Sequence, residues 1–321
     1  MTMPAQFKNR LSIPVIGSPL FIISGPELVM AQCRAGIIGS FPSLNARPIE
    51  QFEEWLQRLS TELTPNDAPY AVNLIVHKSN DRLMADLALC VKYKVPMIIT
   101  SLGARADVNE AIHSYGGVVM HDVISNKFAR KAVEKGADGL IAVAAGAGGH
   151  AGTISPFALM REIREWFDGP LALSGSIATG EAVLAAEAMG ADFGYIGSAF
   201  IATAEARAAQ DYKDMIVDSE SSDIVYSNLF TGVHGNYLRP SIVKAGMDPD
   251  NLAVSDPSAM NFGSGGNTEA KAWKDIWGCG QGIGAVKQVL PAGELVARLR
   301  REYLAAKARL LGTPAEAIAA E

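Results

Sequence analysis

Cysteine is scarce in this 321-residue chain. Cys33, Cys90 and Cys279 are odd in number, far apart and never in a CxxC spacing. That excludes a disulfide framework and a cysteine zinc site, and it fits a reducing compartment. The five histidines are dispersed too, with neither HExxH nor HxH among them, so no metal is expected. No run approaches the ~18 apolar residues of a membrane span. Lys8 and Arg10 precede an apolar stretch over 11–23, in the manner of a secretory leader, but Pro14 and Pro19 interrupt it. It reads as a first buried strand. A basic run is also missing. With 28 basic and 34 acidic residues the net charge is −6, which makes nucleic acid and anionic membranes poor partners. The expectation is a soluble cytoplasmic protein.

Glycine is what the chain has in excess, 31 of 321 residues against a usual ~7%. The glycines fall between two alternating textures. Short apolar, β-branched runs stand at 15–16, 37–38, 70–76, 97–100, 118–123, 139–143, 171–174 and 193–196. Stretches of helical period lie between them, for example over 50–63, 80–93, 127–135, 156–167 and 181–189. Eight strands alternating with helices predict an α/β fold, a (β/α)8 TIM barrel. A doubly wound sheet is the competing fold, but it opens with GxGxxG after its first strand, and here Gly17-Ser18-Pro19-Leu20 follows instead. The alternation stops after residue 212. Segment 219–278 holds an acidic stretch, a turn-rich run and the glycine-rich 261–267, the composition of a lid. An amphipathic helix over 294–311 closes the chain.

Barrel chemistry sits at the C-terminal strand ends. There the sequence offers Gly17, Ser18, Pro19 and Leu20 after the first run, Asn73 in the third, and Ser101 after the fourth. His121 and Asp122 end the fifth. The sixth runs into a loop with Gly146, Gly148, Gly149, His150 and Gly152. Ser174, Gly175 and Ser176 end the seventh, and Gly197 and Ser198 the eighth. Small residues in the last two turns let backbone N–H groups approach an anion, at the usual phosphate position of such barrels. Taken singly, each turn could equally be a plain tight turn. His150, on a glycine loop, is the best catalytic candidate, as base, acid or hydrogen-bond donor. His121 is the weaker of its pair, and His77, His113 and His234 read as peripheral. No lysine ends a strand, no acid pair recurs there, and GxSxG and GxxxxGK[ST] do not occur. Aldolase, glycosidase, serine hydrolase and triphosphatase chemistry are thereby disfavoured. An uncharged site with a phosphate cradle and one histidine suits an organic phosphate cofactor, and flavin mononucleotide (FMN) fits well.

The blocks 136–152, 170–180 and 190–200, with Pro14–Leu20, Val72-Asn73-Leu74 and Trp277-Gly-Cys-Gly-Gln281-Gly, resemble the nitronate monooxygenase (2-nitropropane dioxygenase) family of FMN-dependent TIM-barrel oxidoreductases. The resemblance covers nearly the whole chain. It implies that His150 lies over the flavin, that Gly175, Ser176, Gly197 and Ser198 hold the phosphate, and that Asn73 contacts the ring. It adds Gly17, Ser18, Pro19, Leu20, Asp122, Gly149, Ser174 and Gln281 to the cofactor site. It also implies a smaller, mostly helical cap over 215–281, with the barrel made of 1–214 and 282–321.

Four departures stand out. Ser176 replaces a glycine, Ser198-Ala199 stands where Thr-Arg is typical, Gly17 and Leu20 where Gln and Met are frequent, and Asp122 where some reductases carry lysine. The implied activity is oxidation of alkyl nitronates by dioxygen to a carbonyl compound and nitrite. The alternatives are an NAD(P)H-dependent reductase acting on a quinone or enoyl thioester, and a non-redox phosphate-ligand barrel. A homodimer is left open.

Overall fold

The computed structural model describes residues 4, 7, 9–255 and 276–312. Eight parallel strands form one sheet: β1 (Val15–Gly17), β2 (Gly39–Pro42), β3 (Tyr70–Ile75), β4 (Met97–Ser101), β5 (Val118–Val123), β6 (Gly139–Val143), then, beyond the two-residue strand β7 (Gly149–His150), β8 (Leu171–Ser174) and β9 (Phe193–Ile196). Their spatial order is β1-β9-β8-β6-β5-β4-β3-β2. A parallel bridge from Ile16 to Ile38 joins the two ends. The sheet is therefore a closed barrel, and the doubly wound alternative falls away. Seven of the eight strands coincide with the apolar runs. The second begins one or two residues later than its run, because Ile37 and Ile38 lead into Gly39–Pro42.

Alternation along each strand builds two layers of core. Met97 and Ile99 of β4 and Ile141 and Val143 of β6 point into the barrel, where Ile16, Ile38, Ala71 and Phe193 meet them. Ile98 faces outward onto one helical layer, and Leu140 and Ala142 face another. Both strand faces are buried, which is why the runs read as continuous rather than alternating.

The outer helices are α1 (Pro26–Arg34), α2 (Ile49–Glu62), α3 (Leu83–Lys92), α4 (Ala106–His113), α5 (Asn126–Glu134), α6 (Pro156–Arg164) and α7 (Gly180–Ala188). Local capping fixes two of their starts. Ser125 accepts from the N–H of Phe128 before α5, and Thr179 accepts from that of Ala182 before α7. After β9 come a four-residue helix α8 (Ser198–Ile201) and α9 (Gln210–Asp218). The expected boundary at 214/215 falls inside α9.

The following segment adds a β-hairpin to the helices expected there. Strands β10 (Ile224–Ser227) and β11 (Gly235–Leu238) pair antiparallel, and helix α10 (Arg239–Lys244) follows. β11 also pairs with β7, setting Gly235 opposite His150 and Asn236 opposite Gly149. The described part of 215–281 is thus mixed rather than mostly helical. Its short strands escape a search for buried runs because β10 stays partly exposed. The glycine-rich 261–267 lies outside the described residues.

The last helix, α11 (Ala292–Leu311), lies against α7. A Cβ on Gly180 would sit 2.2 Å from both the Leu299 carbonyl oxygen and the Tyr303 nitrogen. Glu302 accepts from the Gly180 N–H at 2.9 Å. Gly180→Ala should therefore push the two helices apart and cost about 1–3 kcal/mol of stability, read as a lower denaturant midpoint at unchanged slope. A wild-type midpoint would show that the helices do not pack this closely.

Candidate active site

A cavity of about 730 Å³ opens at the C-terminal ends of the barrel strands. That is within the ~300–1,000 Å³ of small-molecule sites. Ser18, Pro19 and Leu20 line one side, and Asn73, Ser101 and Asp122 another. Gly149, His150, Ser174, Gly175, Ser176, Gly197 and Ser198 complete the lining from the sequence-predicted set. Two residues of that set do not line it. Gly17 backs onto Gln32, whose amide nitrogen lies 2.3 Å from where a Gly17 Cβ would be. Gln281 instead donates its backbone N–H to Gly146 O at 2.9 Å, between its lining neighbours Gly280 and Gly282.

Glycine is needed in the turn after β8 and tightly fitted in the turn after β9. Gly175 has φ +134, and a Cβ there would sit 2.7 Å from the Ala145 carbonyl oxygen. At Gly197 a Cβ would sit 2.6 Å from Ser18 Oγ. Ser176 occupies the left-handed region at φ +57, where a non-glycine residue stores strain of about 1–3 kcal/mol. This explains physically why glycine is the usual residue there. The Ser176 N–H already lies 3.3 Å from Gly146 O. Ser198 Oγ accepts from the Gly280 N–H at 2.8 Å. Helix α8, four residues long, adds little dipole.

His150 is held twice by the hairpin, through strand β11 and through the loop before it. β11 pairs with its backbone, and its Nε2 lies 3.0 Å from Thr231 Oγ1. The Thr231 hydroxyl donates to Val233 O at 2.9 Å. With the hydroxyl proton on Val233 O, the tautomer that completes the contact is Nε2–H donating to Thr231. Burial pushes the His150 pKa down to about 4, so the ring is neutral at physiological pH.

On the opposite wall Asn73 Nδ2 donates to Ser101 Oγ at 2.7 Å, and Ser101 Oγ donates to Asp122 Oδ2 at 2.7 Å. Burial raises the Asp122 pKa to about 6, partly offset by the Ser101 hydrogen bond. His121 does line the cavity beside it. Its Nδ1 is hydrogen-bonded to Thr100 Oγ1 at 2.5 Å, and burial lowers its pKa to about 4. His77, read as peripheral from sequence, also borders the cavity. His113 pairs with Asp138 and His234 stacks on Tyr226.

Tyr195, Thr231 and Phe230 line the cavity too, and sequence reasoning missed all three. Tyr195 sits within a buried run, where the inward alternation was its only signal. Thr231 and Phe230 lie in the segment that showed no pattern. Among the described residues no group of His, Cys, Asp or Glu is arranged to hold a metal, and no helix is long and apolar enough to cross a membrane.

The family model for nitronate monooxygenase matches residues 43–302. A nitronate monooxygenase of Paraburkholderia phytofirmans is 25% identical over 90% of this chain and 92% of its own length. The structure of a nitroalkane oxidase from Streptomyces ansochromogenes superposes with a TM-score of 0.81 at 24% identity, covering 95% of this chain and all of that one (100%). FabK of Thermotoga maritima gives 0.76 at 22% identity, covering 95% and 96%. The two structural likenesses, at these identities, speak for the fold alone.

The depressed histidine pKa values carry a sign for stability. Unfolded, His121 takes up a proton near pH 6.5; folded, it does so only near 4. Between these values the unfolded state binds the extra proton, so stability falls as pH drops through that window. Asp122, with a raised pKa, acts in the opposite sense between about 4 and 6. His121→Gln should remove up to about 3 kcal/mol of the loss between pH 6.5 and 4, seen as a flatter plot of denaturation free energy against pH. An unchanged slope would show that His121 is not held neutral.

Proposed function

The chain belongs to the nitronate monooxygenase family of oxidoreductases, and from that premise we propose that it uses FMN to oxidise alkyl nitronates with dioxygen, giving a carbonyl compound and nitrite. The observation that carries this reading is one cavity holding both a pair of small-residue turns, with Gly175 and Gly197 at their closest points, and a neutral histidine, His150. At those glycines the turns can present only backbone to a ligand. Backbone amides suit a phosphate where no lysine or arginine stands in either turn. The available volume suits a ring system larger than the substrate alone.

When bound, FMN supplies electron acceptance and the reaction with dioxygen. The protein supplies position and proton handling. Amides of Gly175, Gly197 and Ser198 hold the phosphate. Pro19, Leu20 and Gly149 contact the cofactor from one side, and Asn73 from the strand ends. His150 Nδ1 takes the α-proton of a neutral nitroalkane, with Nε2–H anchored on Thr231. The cap hairpin keeps that ring in place and water out. The low pKa means that His150 is almost always in its basic form at neutral pH but is a weak base, which fits substrates already close to ionisation.

A second reading is an NAD(P)H-dependent reductase of a quinone or enoyl thioester. The observation favouring it is the apolar mouth: Phe21, Ile22, Ile124 and Phe128 line the cavity and are all exposed, which suits a larger apolar substrate. The two readings separate when flavin-loaded protein is mixed without oxygen with NADH or with propionate-3-nitronate. Bleaching by the nitronate alone is expected; bleaching by NADH alone would transfer the assignment to the reductase.

His150→Asn tests the proton step. Turnover of neutral nitroalkane should fall about 10²–10⁴-fold, while the preformed nitronate is spared and FMN content stays at the wild-type level. If both reactions fall, His150 orients the anion instead of taking a proton. Wild-type turnover of both substrates would remove it from the catalytic machinery.

A further inference from the structure

Among the described residues, Asp122 is the one Asp or Glu that borders the cavity, and its surroundings leave its charge poorly compensated. The hydrogen bonds run in one direction, from Asn73 to Ser101 to Asp122 Oδ2. Asn73 Nδ2 makes a further bond to Ile99 O at 3.0 Å, so this relay is anchored on the barrel backbone. Asp122 Oδ1 is enclosed and has no hydrogen-bond partner. Among the described residues no Lys, Arg or His bridges the carboxyl, and its ionisation responds to burial and to Ser101 alone. Tyr195, on β9, is the other titratable side chain coupled to it, and the Asp122 charge helps keep that phenol protonated.

The position is equally informative. In the sheet order β5 is separated from β9 by β8 and β6. The proposed phosphate turns follow β8 and β9, whereas Asp122 stands at the end of β5, with β6 between it and β8. Whatever uncharged ring extends from those turns across the mouth meets the strand ends that carry Asn73, Ser101 and Asp122.

We propose that Asp122 is a tuning residue, whose negative charge in the cavity wall destabilises the electron-rich reduced form of the bound flavin and holds its midpoint potential low. A buried charge acts over a longer range than a hydrated one, because little water screens it. The effect is on the reduced ring more than on the oxidised ring, since reduction adds the electrons that the carboxylate repels. A low potential disfavours storage of electrons and favours their onward passage to dioxygen.

This inference rests on the FMN reading, and the experiment separates the two. Wild type and Asp122→Asn, both loaded with FMN, are reduced slowly at pH 8 alongside a reference dye. The isosteric amide should raise the midpoint by about 30 mV or more, a tenfold change in a two-electron equilibrium. Affinity for oxidised FMN should change less than tenfold. Asp122→Ala, which removes the charge without inserting an amide, should raise the midpoint as well, and it serves if the Asn variant folds poorly. A midpoint at the wild-type value in a flavin-loaded variant would overturn the tuning role alone. Failure of the wild-type protein to take up FMN would overturn the flavin reading, and the tuning role with it.

Discussion

The loop from β6 to β7 runs in backbone contact with the turn around Gly280, and the site depends on that contact. A Cβ on Gly148 would sit 2.7 Å from Gly280 N, and one on Gly280 would sit 2.7 Å from Gly146 O. Glycine on both sides permits the approach. Once made, it is closed by hydrogen bonds: Gln281 N–H to Gly146 O, Gly280 N–H to Ser198 Oγ, and Asn236 Nδ2 to Ala147 O at 2.6 Å. Cys279 N–H in turn donates to Asn236 O. Three segments distant in sequence, the β6 loop, the hairpin and the return to the barrel, are thereby held as one unit. His150 stands at its edge, so its direction is set by the cap as much as by the barrel.

This arrangement explains which parts of the molecule were legible in the sequence. Barrel strands are buried on both faces, so each leaves a continuous apolar run, and the runs at 70–76 and 118–123 became β3 and β5 almost residue for residue. Strand ends follow directly, and with them Asn73, Asp122, Gly175 and Gly197. The hairpin left no such trace, because β10 is partly exposed and β11, though buried, reads Gly-Asn-Tyr-Leu rather than an apolar run. The partners of His150 were hidden for a different reason. Thr231 is 81 residues away, and only the folded chain brings the two together. Gly17 misled because its place at a strand end is real, but Gln32 of α1 occupies the space beside it. Local pattern names the strand end; packing from another element decides whether a residue there reaches the cavity.

Ser176 shows the same limit from the other side. Its substitution for glycine was visible, and a narrower backbone range was expected of it. The observed φ of +57 makes the strain explicit. The neighbouring segment must over-determine this conformation, and it does: Gly175 before it is wedged against Ala145 O, and Gly282 is in contact with the Ser176 backbone. Strain is tolerated where several elements converge, and here they converge on the proposed phosphate site.

The electrostatic character of the cavity follows from burial acting on His121, His150 and Asp122 in the same sense, toward the uncharged form. His121 and His150 are pushed toward the neutral ring, and Asp122 toward the neutral acid. Neither cation among the described lining residues, Arg47 after β2 or Lys131 on α5, stands in the β8 or β9 turn. An anion at those turns therefore meets backbone dipoles rather than side-chain cations. Fixed dipoles need no reorganisation as charge moves during a reaction. Among the described lining residues Asp122 is the one carboxylate, and a charge enclosed there is screened less than the same charge on a hydrated surface acid.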